Sequence, residues 1–85
     1  MKLPTIHLNG SSAQTLAESY QFAATELASA LTALENVDLN GRDYYPQGPD
    51  AWSQAQREHL ERCQNLKKII EQTQAIAEHC WNQIK

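Results

Sequence analysis

Apolar side chains recur at unbroken steps of three and four along two long stretches of this chain. In the first stretch they are Ala13, Leu16, Tyr20, Ala23, Leu27, Ala30, Leu34 and Val37. In the second the line runs Trp52, Gln56, His59, Cys63, Leu66, Ile70, Thr73, Ala77, Cys80 and Ile84, with a few polar residues in register. That spacing is the seam of a helix packed on another helix. No glycine or proline falls inside either stretch. The chain therefore reads as all-α: helix 1 over 11–38, a loop over 39–49 and helix 2 over 50–84. Residues 1–10 form a short extended segment ahead of them. Two long helices joined by one loop make an antiparallel hairpin, which at 85 residues is a single domain.

The apolar stripes are wider than one partner helix needs. Ala17, Ala24, Ala28 and Leu31 broaden the first, and alanines let a second helix come close. Phe22 lies off the seam and points to another contact surface. Ile69 and Ile76 widen the second stripe to one side. A domain this small buries only about 60% of its unfolded surface, so a lone core is marginal. The expected remedy is a homo-oligomer in which hairpins pack as a helical bundle. A disulfide is not the remedy. Cys63 and Cys80 fall on one helix, about 25 Å apart at ~1.5 Å per residue, and a disulfide needs Cα atoms within ~7 Å. Two unpaired cysteines fit a reducing, cytoplasmic compartment.

The helix boundaries carry local signals. Pro4 restrains Leu3, and Thr5-Ile6-His7-Leu8 is a short β-prone alternation, suited to pairing with another copy or lying along a helix. It holds no apolar run long enough for a signal peptide, and no stretch approaches the ~20 apolar residues of a membrane span. Asn9-Gly10 forms a turn, and Ser11 or Ser12 caps helix 1, with Ser11 and Gln14 fitting a capping box. Asp50 after Pro49 is the expected cap of helix 2.

The loop holds the residues with chemistry. Two of the three glycines, two of the three prolines and two of the three tyrosines lie in Asn40-Gly41-Arg42-Asp43-Tyr44-Tyr45-Pro46-Gln47-Gly48-Pro49. Arg42 offers a planar fork of donors for phosphate or carboxylate. Tyr44 and Tyr45 offer faces for stacking. Asn40 and Asp43 can hold the turn or read polar edges. Gly41, Pro46, Gly48 and Pro49 stiffen it. At the start of helix 1, Asn9, Gly10, Ser11 and Ser12 supply backbone amides and hydroxyls suited to an anion. These two groups lie at opposite ends of one hairpin. Antiparallel association of two hairpins would join them in an inter-subunit pocket fit for a small nucleotide-like ligand. A purely structural use of both segments, as packing and capping, stands beside this reading.

Other chemistries find little support. The net charge of −3 argues against binding polymeric nucleic acid. His59 and Cys63 are spaced as a metal pair, but a zinc site takes three or four ligands and only His7, His79 and Cys80 remain. A catalytic cysteine needs a histidine opposite it, and none is evident. No catalytic residue, metal or cofactor is therefore assigned, and the chain reads as a non-enzyme.

The stretches His7-Leu8-Asn9-Gly10-Ser11-Ser12 and Asn40-Gly41-Arg42-Asp43-Tyr44-Tyr45-Pro46-Gln47-Gly48 resemble those of a group of small helical proteins from phages and prophages. Glu58-His59 looks like a Glu-His pair in their second helix. The resemblance implies a phage-related protein in the bacterial cytoplasm. In layout the chain also looks like the helical-hairpin sponges with which phages sequester cyclic nucleotide signals of CBASS or Thoeris immunity. No binding residue is carried over from those. Rival readings are an adapter or inhibitor that docks on a host protein, and a phage structural or assembly factor.

Overall fold

The computed structural model describes residues 1–84. Two α-helices, α1 (Ala13–Glu35) and α2 (Ala51–Trp81), pack along one another as a hairpin, with no strand among the described residues. The molecule measures 61 × 21 × 17 Å. Among the described residues no helix is long and apolar enough to cross a membrane.

The helices meet along small side chains. The buried residues are Ala13, Ala17 and Ala24 on α1 and Cys63, Ile70, Ala77 and Cys80 on α2. The expected seam of α1 is thus shifted. Its leucine line, Leu16, Leu27 and Leu34, is only half buried, and the alanine line beside it forms the contact. Alanine costs least when two backbones approach closely, so the alanine stripe faces α2 and the bulkier line is displaced to its flank. Phe22 is 68% exposed.

Both helices are shorter than the periodicity implies. α1 stops at Glu35, with Asn36 as C-cap, instead of continuing to residue 38. Its last turn has no basic residue, and Glu35 and Asp38 place negative charge where the helix dipole is already negative. α2 ends at Trp81, and Gln83 and Ile84 continue in single turns onto Cys80 and Trp81 carbonyls.

At the start of α1 the cap is Ser12. Its Oγ accepts from the Thr15 amide at 3.0 Å and donates to Thr15 Oγ1 at 2.7 Å. The Ser11–Gln14 capping box does not form, because Gln14 instead donates to Glu18 one turn on, at 3.0 Å. Asp50 occupies the cap position of α2 but makes no side-chain cap bond, since its backbone is already helical at φ −95°, ψ −10°. The N-terminal segment lies against the helices: His79 Nε2 donates to the Pro4 carbonyl at 2.8 Å. Pro4 and Ile6 are half buried there, while Thr5, His7 and Leu8 are exposed.

Candidate functional site

The connection between the helices is built of two single 3₁₀ turns, Gly41–Asp43 and Tyr45–Gln47. Asn40 opens the first, its Oδ1 accepting from the Arg42 amide at 3.1 Å. The Asp43 and Tyr44 amides close it on the Asn40 and Gly41 carbonyls. The Gln47 and Gly48 amides close the second on the carbonyls of Tyr44 and Tyr45. Gly48 then takes φ 118°, a backbone state that side chains rarely adopt, and redirects the chain into Pro49 and α2.

One aromatic anchors this structure to the hairpin. Tyr44 stacks on Trp52 with ring centroids 5.8 Å apart and planes inclined by 30°. Gly41 is buried against Trp52 and Tyr45: a Cβ there would lie 3.2 Å from the Tyr45 hydroxyl and 3.3 Å from the Trp52 ring. Trp52 is the residue that sequence reasoning missed, having been placed in the seam. Its position in the first turn after Pro49-Asp50, facing a loop with two tyrosines, is the signal that was available.

The remaining loop residues face outward. Arg42, Asp43 and Tyr45 are exposed, Tyr45 by 70%. The one ion pair among the described residues is Lys67–Glu35, at 3.7 Å, so Arg42 is not tied to Asp43 or another carboxylate. The five loop candidates thus divide. Asn40 and Tyr44, with the buried Gly41, hold the loop; Arg42, Asp43 and most of Tyr45 are exposed by it.

The second group, at the start of α1, is more self-contained. The Asn9 amide donates to His7 Nδ1 at 3.3 Å and the Gly10 amide to the His7 carbonyl at 3.1 Å. The space beside Gly10 is taken by the His7 ring, 2.9 Å from where a Cβ would stand. Ser12 is committed to Thr15, and Ser11 is exposed. The single chain does not bring this group to the loop. The 23 residues of α1 separate them, about 34 Å at ~1.5 Å per residue.

Two grooves run between the helices. One, of about 450 Å³, is floored by Ala24, Ala28 and Ala77 and rimmed by Gln21, Thr25, Gln74, Glu78 and Trp81. Trp81 Nε1 donates across it to Gln21 Oε1 at 3.0 Å. The other, of about 380 Å³, lies nearer the loop, between Glu35 and Leu39 on one wall and Gln56, Leu60, Gln64 and Lys67 on the other. His59 Nε2 stands 3.8 Å from Cys63 Sγ at its base. No group of three or more His, Cys, Asp or Glu side chains converges among the described residues. Both cysteines are free and buried. None of the loop or helix-start candidates lines either groove.

Compared with protein-family profiles, curated proteins and solved structures, the chain matches none.

Proposed function

We propose that the protein is a non-enzymatic, phage-encoded binding protein. It sequesters a small nucleotide-type immune signal in the cytoplasm of the bacterial host, at pockets formed where hairpins associate. The observation that carries this reading is the division of labour in the loop. Asn40, Gly41, Tyr44 and Trp52 hold the loop in place, while the Arg42 guanidinium makes no ion pair and the Tyr45 ring is mostly exposed, with its hydroxyl over Gly41. A rigid frame that exposes an unpaired planar cation and, three residues on, an aromatic face loses little conformational freedom on binding. Guanidinium suits phosphate, and the ring suits a base.

In a single chain these groups line no cavity, so the second wall belongs to another copy. The start of α1 is the natural supplier, through Ser11 and the first free amides of the helix, since the Asn9, Gly10 and Thr15 amides are occupied.

Isothermal titration with cyclic dinucleotides and ADP-ribose derivatives tests the proposal. Stoichiometric heat with one of them is expected. Arg42→Ala with Tyr45→Ala should remove it and leave helicity unchanged. Absence of heat with all of them, from a folded and associated protein, contradicts the ligand reading. A host protein retained from lysate only by the unsubstituted loop would instead favour the adapter reading.

A further inference from the structure

The groove beside Trp81 combines three kinds of surface. Its floor, Ala24, Ala28 and Ala77, is apolar, and no side chain there extends past Cβ. The Trp81 ring forms one wall and is held by the bond from its Nε1 to Gln21 Oε1 at 3.0 Å. No other aromatic ring stacks on it among the described residues. Glu78, one turn before Trp81, sets a carboxylate on the same rim.

The free charge around this groove is negative. Successive helical residues are turned by ~100°, so Glu18, Thr25, Glu71 and Glu78, each of which follows a buried residue, share one flank. Thr25 and Glu78 line the groove, and Glu18 and Glu71 lie one turn before the lining residues Gln21 and Gln74. Glu71 and Glu78 make no ion pair among the described residues. α1 has no lysine or arginine, and α2 has none after Lys68. Lys67, two turns before Gln74 in the same stripe, is already paired with Glu35 at 3.7 Å. His79 precedes the buried Cys80, faces the other flank and donates to the Pro4 carbonyl. α2 also ends at Trp81, and a helix C-terminus adds partial negative charge.

An alanine floor under unpaired carboxylates and an unstacked indole suits a cation carried on a hydrocarbon stem. The ring face attracts the cation, the carboxylate pairs with it, and the stem covers the alanines. An anion would be repelled. A bare metal ion finds no group of three or more His, Cys, Asp or Glu side chains among the described residues. Glu71 and Glu78 are two turns apart on one helix, about 10 Å along its axis. A stem with a cation at each end can therefore meet both.

We propose that this groove binds a linear aliphatic polyamine. Its methylene stem lies over Ala24, Ala28 and Ala77. One ammonium sits between the Trp81 ring and the Glu78 carboxylate, and a second reaches Glu71. The groove, of about 450 Å³, has room for such a chain. Arg42, Tyr45 and the start of α1 take no part, so this site stands apart from the nucleotide reading, and either can fail without the other.

Spermidine titrated into the isotope-labelled protein, followed by NMR, tests it. The two tryptophan indole N–H signals report separately, that of Trp81 being assigned by its loss in Trp81→Phe. Spermidine should shift the Trp81 signal saturably and leave that of Trp52 in place. Magnesium ion at the same ionic strength should move neither. Ala28 is exposed, so Ala28→Leu should fill the groove, keep the helicity and abolish the shift. Glu78→Gln, also on the surface, should weaken binding by about fivefold, and it keeps the test open if Ala28→Leu loses helicity. A Trp81 signal that spermidine does not move would overturn the proposal. So would an equal shift with magnesium, which would mark a diffuse counterion effect, or unchanged affinity in a folded Ala28→Leu or Glu78→Gln protein.

Discussion

Gly48 has φ 118° and nothing within 4 Å of where a Cβ would sit, so its constraint is purely one of backbone. Gly48→Ala should cost about 1–3 kcal/mol, the penalty for a side chain in that region, read as a lower urea midpoint with an unchanged slope. Gly41 is the opposite case, its space being filled by Tyr45 and Trp52. Gly41→Val should push the Trp52 ring off Tyr44 and shift its emission, with Trp81 at the far end as the unchanged background. An emission spectrum and maximum equal to those of the parent would contradict the packing described. At this scale the turn-forming residues were legible, because glycine, proline and asparagine announce backbone angles. The split between framing and presenting residues was not. Tyr44 and Tyr45 are neighbours of one type, and only their packing tells them apart: Tyr44 is stacked on Trp52, and Tyr45 is 70% exposed with only its hydroxyl over Gly41.

Element by element, helical periodicity placed both rods and the loop between them, and overran their ends by a few residues. Charge at the C-terminus of α1 shortens that helix, and α2 gives way after Trp81 to single turns. The choice between Ser11 and Ser12 as cap also needed coordinates, since both offer a hydroxyl. Ser12→Ala should destabilise the protein by ~1 kcal/mol, whereas Ser11→Ala should be neutral in the same denaturation experiment. Equal effects would mean that the cap is shared. The leucine and alanine lines of α1 differ by one residue in register, and hydrophobicity alone favours the leucines. Close approach of backbones favours the alanines, and that term decides which line faces α2.

The whole molecule is long and thin for its mass, with a Cα radius of gyration of 18.7 Å where a compact chain of this length has about 12 Å. Among the described residues none larger than Ile70 is buried, and the fully buried side chains are Ala17 and Cys80. A core of that size leaves little stability for one chain alone. The expectation of a partner rests on the width of the stripes in the sequence. Which side a partner would take depends on which residues α2 covers, and the stripes alone do not give that. The most direct measurement is the mass of the unsubstituted protein by sedimentation equilibrium at micromolar concentration. The expected mass is at least twice the 9.6 kDa of the chain. A stable, fully helical species at the single-chain mass would contradict the pairing on which the shared pocket depends.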